Sequence, residues 1–351
     1  MKPKRIVFDC ERLKYPNTGL YTFCENLGKA LLHNEGLNRK ITPYVPLSAK
    51  NIFGRDINCF IQHSWHKIFL PLSTKVNIWH SSNQVSRYFP AFKKTKIVLT
   101  IHDLNFLIEK KDRPARIQKH LNQIQSRINK ATTVVCISHF VADQVKTYLN
   151  VADKNLSVIY NGCTINDFPD FNTPKYNPTK PFLFSIGTVL PKKNFHVLPA
   201  LLSGNDHELI IAGNLSDPDY VKKILAEAVA LGVNNRVKII GSISDEDRSW
   251  YYKNCMAFVF PSIAEGFGLP VIEAMHYGKA VFLSTHTSLP EIGADAAYYF
   301  QDFEPENMLK TFNAGMADFA KGDISQKAIK RAALFNWQET AKAYLKIYDT
   351  L

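Results

Sequence analysis

Two doubly wound α/β domains joined by a linker are what this sequence predicts, on three observations. Short apolar runs alternate with helical patterns through both halves, as in β-α units around a parallel sheet. That alternation is broken from Phe168 to Pro181, where Pro169, Pro174, Pro178 and Pro181 fall without periodicity, as in a linker. In the second half the run Ala257-Phe-Val-Phe260 reads as a buried parallel strand, and a glycine turn and a helix follow it. A chain of 351 residues is long enough for two domains of ordinary size.

Composition excludes several classes. Hydrophobic residues at 46% and charged residues at 21% are those of a globular protein, not a disordered one. No apolar run approaches the roughly 18 to 20 residues a spanning helix needs. The start, Met1-Lys-Pro-Lys-Arg-Ile-Val-Phe8, is basic, but its apolar run is too short for a secretion signal and reads as a first strand. The six cysteines (Cys10, Cys24, Cys59, Cys136, Cys163 and Cys255) form no Cys-x-x-Cys pair. That argues against zinc and disulfides and for a cytoplasmic setting. Residues 1–170 hold 25 Lys and Arg against 12 Asp and Glu, and residues 171–351 hold 18 against 19, so the excess positive charge sits in the first half. We read that half as facing an anionic membrane surface, with plain solubility as the alternative. Nucleic acid is not expected, because no binding module or basic-aromatic interleaving is present.

The elements follow in order. Arg5-Ile-Val-Phe8 is a strand ending at Asp9, and a loop to Thr18-Gly19 leads into a helix with Leu20, Phe23, Cys24, Leu27 and Leu31 on one face. This is a Rossmann-like opening, although a plain helix start explains Gly19 equally well. From Ile41 to Trp79 only Val76–His80 suggests a strand, and the aromatics around Trp65 fit either a core or a contact with acceptor or lipid. Lys96–Ile101 is a strand with His102-Asp103 at its C-terminal end, where open parallel sheets place their chemistry. Asp112 is the expected cap of a helix over Pro114–Asn129, with Ile117, Leu121, Ile124 and Ile128 as its buried stripe. Lys110, Lys111, Arg113, Arg116, Lys119 and Arg127 mark its opposite face or approach. Thr132–Cys136 is a strand, Ser138 caps a helix through Tyr148, and Leu156–Ile159 leads to the turn Asn161-Gly162.

The second half reopens with Phe182–Ile186, Gly187 and Pro191-Lys-Lys-Asn194, followed by a helix. Lys192 and Lys193 in a first βα turn suit a diphosphate as point charges, or stand solvated. Strands at Glu208–Ala212 and Val237–Ile240 alternate with helices from Pro218 and Asp245. Asp217-Pro-Asp219 and Asp245-Glu-Asp247 fit helix starts better than a metal site, and no metal is expected. After the strand at 257–260, Gly266 and Gly268 allow a tight turn and Pro270 opens a helix to about Tyr277, stopped by Gly278. Amides of Phe267, Gly268 and Leu269 at that helix start suit a phosphate. Glu265 and Glu273 would repel a phosphate but accept hydrogen bonds from vicinal sugar hydroxyls. Together they describe a nucleotide-sugar site, or else a strand–helix joint with one capping and one solvated glutamate. Phe335 to Leu351 looks like a last helix.

Glu265-Gly-Phe-Gly-Leu-Pro-Val-Ile-Glu273-Ala-Met275 resembles the paired-glutamate motif of the retaining glycosyltransferases of family 4, and Ser288-Leu-Pro-Glu291 also looks like that family. The resemblance covers most of the chain, more strongly in the second half. It implies the GT-B fold, two Rossmann-like domains facing a central cleft. Residues 1–167 would be the acceptor-binding domain, 168–181 the linker, 182–335 the nucleotide-sugar domain, and 336–351 a helix crossing back to the first. It implies that Glu265 approaches the donor hexose, Glu273 holds the ribose, and His102 stands beside the donor sugar and the acceptor. Gly19 would lie in a loop against the donor phosphates or the acceptor, Gly187 in a donor-side loop, Gly241 and Ile243 at the nucleobase, and Gly266, Phe267, Gly268 and Leu269 on the diphosphate with Lys193. Thr188 stands where the family has an arginine, and Lys192 is the candidate to replace that charge.

The function so implied is metal-independent, retaining transfer of a hexose from a nucleoside diphosphate sugar, without a cofactor, to a glycan or lipid-linked acceptor in cell-surface polysaccharide synthesis. The Thr100-Ile-His-Asp-Leu104 string and the form Gly187-Thr-Val-Leu-Pro-Lys-Lys-Asn194 look like mannosyltransferases, which makes GDP-mannose the expected donor and UDP-glucose the next. The expected place is the cytoplasm, peripheral on the membrane. A non-catalytic nucleotide-sugar or glycan binder, or a sugar-nucleotide epimerase on the same scaffold, is the alternative.

Overall fold

The computed structural model describes residues 3–16, 18–71, 76–90 and 94–351. Asn17, in the loop expected ahead of the first helix, lies outside them, as do residues 72–75 of the stretch that sequence left unplaced. The chain forms two compact units, one of Met1–Thr164 with Phe335–Leu351 and the other of Ile165–Leu334.

Unit 1 is a seven-stranded parallel sheet of β1 (Lys4–Asp9), β2 (Arg39–Val45), β3 (Phe60–Ile61), β4 (Ile78–Ser81), β5 (Lys96–Ile101), β6 (Thr133–Cys136) and β7 (Asn155–Val158). Its order is β3-β2-β1-β4-β5-β6-β7. Central strands such as β4 and β6 are buried at every position, as a sheet covered on both faces requires. The helices are α1 (Gly19–His33), α2 (Phe106–Glu109), α3 (Pro114–Lys130) and α4 (His139–Tyr148). Thr18 Oγ1 caps α1 by accepting from Tyr21 N at 3.2 Å, and Ser138 Oγ caps α4 through Val141 N at 3.2 Å.

Three expectations change here. The unplaced stretch contains β3 and most of β2, which begins at Arg39. The residue ahead of α3 is Arg113, not Asp112, and it makes no side-chain cap; Pro114 opens the helix instead. Of the expected stripe on α3, Ile124 and Ile128 are buried, while Ile117 and Leu121 are only partly covered because they lie toward the helix's exposed first half. Trp65, on a short 3-10 helix, is half exposed and stacks on Phe69 at 6.5 Å.

Unit 1 is completed by the C-terminal helix Trp337–Thr350, which buries Trp337, Ala341, Tyr344 and Tyr348. Tyr348 Oη lies 2.5 Å from His80 Nδ1, and His80 Nε2 lies 2.8 Å from Thr100 Oγ1, which in turn meets Tyr344 Oη at 2.9 Å. Burial pushes the His80 pKa down to about 3, with His102 adding a smaller effect.

Unit 2 is a six-stranded parallel sheet of β8 (Phe182–Ile186), β9 (Glu208–Ala212), β10 (Val237–Gly241), β11 (Ala257–Phe260), β12 (Ala280–Ser284) and β13 (Tyr298–Phe300), in the order β10-β9-β8-β11-β12-β13. The helix expected after Asn194 is a 3-10 segment, Phe195–Leu202, with Pro199 inside it, where proline denies the α-helical hydrogen bond. The α-helices are α5 (Pro218–Ala230), α6 (Asp245–Asn254), α7 (Leu269–His276), α8 (Leu289–Gly293), α9 (Pro305–Phe319) and α10 (Asp323–Ala333). Both Asp-x-Asp strings open helices: Asp217 Oδ1 accepts from Tyr220 N at 3.0 Å, and Asp247 forms a capping box with Ser244. The proline-rich stretch packs on unit 2, where Thr179 N donates to Glu208 Oε1 at 2.8 Å and Lys175 N to Asp247 Oδ1 at 2.7 Å. Each sheet reverses its winding once, between β1 and β4 and between β8 and β11. Such switch points leave a crevice at the carboxyl ends of the strands. No helix of the described residues is long and apolar enough to cross a membrane.

The His80 network sets a pH dependence. A histidine whose folded pKa is depressed takes up protons in the unfolded state first, so its stabilisation is complete above pH ~6.5 and declines as pH falls toward about 3. Guanidinium melts of wild type and His80→Gln at pH 7 and pH 4.5 should show the variant losing less stability over that interval, by about 2 kcal/mol. Equal losses would remove His80 as the cause.

Candidate active site

The switch point of unit 2 gathers the charged residues. From the loop after β8 comes Lys193, and from the loop after β11 comes Glu265. Lys193 Nζ donates to Glu265 Oε1, with both side chains largely buried at 12% and 14% exposure. The ammonium also lies 4.9 Å from the centre of the Phe260 ring. Gly187 makes room for it: a side chain there would begin 3.1 Å from Lys193 Cε, and its φ of +153° disfavours any other residue. Ser262 Oγ lies 2.8 Å from Glu265 Oε1 and 3.1 Å from the carbonyl of Lys192, so it ties the two loops together.

The turn from Glu265 to Gly268 is clamped from the loop after β12. Ser288 Oγ donates to the carbonyls of Phe267 at 2.8 Å and Glu265 at 3.1 Å, and Glu265 N donates to Thr287 Oγ1 at 3.2 Å. Gly268 takes φ +115° at the cap of α7 and offers no side chain to its first amides. Pro270 has no N–H and Val271 N bonds the Gly268 carbonyl, so the helix leaves the amides of Gly268 and Leu269 without an intrahelical acceptor. Gly266 and Phe267 lie in the same turn, both buried.

Glu273 falls in the second turn of α7, because the helix begins at Leu269. It lies 3.9 Å from Arg248 Nε on α6, whose Nη2 meets Asp245 at 3.1 Å. Burial raises the Glu273 pKa, and Arg248 partly offsets that. Gly241 ends β10 at φ +72°, and its carbonyl accepts from Gly213 N at 2.8 Å. Ile243, two residues on, is partly exposed. Lys175 Nζ donates to the neighbouring Ser242 carbonyl at 2.8 Å, a cation at this loop that sequence reading left in the linker.

His102 and Gly19 belong to unit 1. His102 follows β5 and is 7% exposed, its ring edge-on to Phe23 of α1 at 4.6 Å. Nε2 lies 2.7 Å from the Ser82 carbonyl, which only accepts, so Nε2 carries the hydrogen and Nδ1 keeps its lone pair. Burial holds its pKa down at about 4, so the ring is neutral at pH 7. Gly19 begins α1 in open space and at no positive φ, so neither packing nor backbone geometry demands glycine there.

Asp9 was read only as a strand end. It is fully buried at the switch point of unit 1, accepts from Ser86 Oγ at 2.7 Å and from Glu11 N at 3.0 Å, and burial lifts its pKa to about 7. Its place at the C-terminal end of β1 was the available signal. The serine clamp, Ser262 and Ser288, had none beyond the Ser288-Leu-Pro-Glu291 string.

Two family models match this chain: that of glycosyl transferases group 1 over residues 167–333 and that of glycosyltransferase family 4 over residues 28–166. The chain belongs to the glycosyltransferases of family 4, and its fold is GT-B. The serotype-specific mannosyltransferase WbdA of Escherichia coli is 28% identical over 280 residues, 73% of this chain and 34% of that protein. This chain therefore matches about a third of the length of that relative. The O-antigen chain mannosyltransferase B of Escherichia coli is 24% identical over 294 residues, 78% of this chain and 74% of that protein. Among solved structures, Anabaena HepE in complex with UDP and glucose superposes with a TM-score of 0.73 at 16% identity, covering 99% of each chain.

Two measurements test this geometry. Lys193→Met leaves the largely buried Glu265 carboxylate without its cation and should cost about 2–3 kcal/mol, whereas Lys193→Met with Glu265→Gln should cost less than the single change. A double variant less stable than Lys193→Met in chemical melts would contradict a desolvated pair. Second, in NMR titrations of the histidine rings, His102 should stay unprotonated as pH falls until near 4. A midpoint near 6.5 would contradict its burial.

Proposed function

We propose that this glycosyltransferase moves a hexose, mannose in the first instance, from a nucleoside diphosphate sugar to a hydroxyl of a glycan or lipid-linked acceptor in surface-polysaccharide synthesis, with retention at the anomeric carbon. The observation that carries this reading is the Lys193–Glu265 pair set at a switch point beside the start of α7. One partner matches a diphosphate, the other a sugar's hydroxyls, and the helix start supplies amides and a favourable dipole.

In this reading the anomeric C–O bond to the diphosphate breaks, and the leaving charge is met by Lys193 and the Gly268 and Leu269 amides. Pre-organised stabilisation of that leaving group is the main catalytic contribution. The acceptor oxygen attacks from the same face, and its proton passes to the departing phosphate oxygen. Glu265 holds hexose hydroxyls and Glu273 the ribose. Gly241 and Ile243 border the nucleobase, and Lys192 and Lys175 add positive charge on the donor side. His102, neutral and with Nδ1 as a hydrogen-bond acceptor, orients the acceptor hydroxyl. The charge that a divalent cation would bring comes here from lysine and amides. Two mannosyltransferases among the relatives favour GDP-mannose as donor, and UDP-glucose is the second choice.

A thermal-shift screen against nucleoside diphosphates and their sugars identifies the donor, because a ligand bound only to the folded state raises the melting point. With that donor, Glu265→Ala and Glu273→Ala should each lower kcat/KM by about 100-fold or more, the loss expected from two hydrogen bonds to a charged group. Near-normal turnover in either would remove its assignment. Conversion of the donor with no acceptor present would indicate an epimerase instead, and donor binding without transfer or hydrolysis a binder.

A further inference from the structure

We propose that a cavity in unit 1 holds a phosphate or diphosphate group of the acceptor, so that the hydroxyl glycosylated belongs to a phosphorylated glycan. This rests on the transferase reading above and adds the chemical class of the second substrate. The cavity has a volume of about 920 Å³, room for a phosphate with one or two sugar rings. Its walls come from three places: Arg12 on the 3-10 helix after β1, Gln84 and Arg87 on the loop after β4, and Lys119, Gln123 and Arg127 on α3. The first two flank the switch point of this sheet, where doubly wound folds take their ligands.

Charge points to the occupant. Among the described residues, four cations line the cavity and no aspartate or glutamate does. Among the described residues none of the four forms a salt bridge, and Arg12 Nε is buried without a hydrogen-bond partner. Arg127 is held in place against the Phe89 ring at 4.9 Å, and its guanidinium titrates lower than usual because of burial and the charge of Arg87. Like charges gathered in a partly desolvated hollow are stabilised by a counter-anion, and guanidinium forks match phosphate oxygens. A lone carboxylate would leave most of this charge unbalanced.

Gln84 connects the cavity to the strand end. Its Oε1 accepts from His102 N at 3.2 Å and its Nε2 donates to the Asp103 carbonyl at 3.0 Å. A phosphate held by Arg12, Arg87 and Arg127 therefore sits one side chain away from the histidine assigned to the acceptor hydroxyl. A shallower hollow of about 500 Å³ shares Asn122 and Ser126 with the cavity and continues along α3 past Gln125 and Asn129, whose side chains bond to each other at 2.7 Å.

Isothermal titration of the full chain decides the matter, with unit 2 saturated by the nucleoside diphosphate that the thermal screen identifies. The probes are decyl mannosyl diphosphate, mannose 1-phosphate, neutral decyl mannoside and octyl glucuronide. The diphosphate probe should bind at least 10-fold tighter than the neutral one, and Arg87→Gln with Arg127→Gln should erase that difference while leaving nucleoside diphosphate affinity unchanged. Arg127→Lys, which keeps the charge, should retain most of the preference and guards against a folding artefact. Tight binding of mannose 1-phosphate as well supports a free sugar phosphate, and of the lipid-tailed probe alone a lipid-linked one. Equal binding of neutral and phosphorylated probes, a preference that survives the double substitution, or glucuronide binding as tightly as diphosphate would overturn the proposal. So would a double variant that loses only its binding to phosphatidylglycerol vesicles, because the charge would then serve a membrane surface. Should no nucleoside diphosphate bind, the donor reading fails on its own and the cavity is titrated without one.

Discussion

A lysine and a glutamate held against each other, largely out of water, set the terms for unit 2. Each partner neutralises the other in the free protein, so neither charge is left uncompensated before substrate arrives. The pair is also a matched template. A ligand that brings both negative oxygens and hydroxyl donors can take over each half of the contact, whereas a ligand with only one of them leaves the other half stranded. Under the proposed function, discrimination between a nucleotide-sugar and a bare nucleotide or sugar would rest on this one interaction.

The same architectural solution appears twice. Each unit reverses its strand order once, and in each the loops flanking that reversal carry the unusual residues. In unit 2 they bring Lys193 to Glu265; in unit 1 they bring Arg12 and Asp9 toward Gln84 and Ser86. The remaining framework serves these loops. Ser288 pins the turn after β11 by its carbonyls, Gly268 permits its handedness, and the C-terminal helix closes the face of unit 1 behind β4 and β5.

Much of this was legible in the sequence, and unevenly so. In unit 2, β8, β9 and β11 could be read because they are short apolar runs punctuated by glycine and proline, whereas β12 and β13 were not placed from the sequence. The turn at 265–268 could be read because its residues are dictated by backbone geometry. β2 and β3 could not, because β2 carries Pro43 and polar residues and β3 is two residues long, so neither gives a periodic signal. The segment after Asn194 read as a helix because its apolar content is high, but Pro199 turns it into 3-10 geometry. The lysine–glutamate contact joins positions 72 residues apart, and the cavity cations come from three separated segments. No local pattern announces such meetings; only the winding of the sheet does.

The C-terminal helix gives unit 1 an unusual dependence on the far end of the chain. Tyr344 and Tyr348 complete a core begun at Ile6, and the whole of unit 2 is threaded between. During synthesis, the part of that sheet made first must wait, with one face uncovered, until the inserted unit has been made. Loss of the last turns of the chain would accordingly unmake the beginning of the protein, and leave its middle standing.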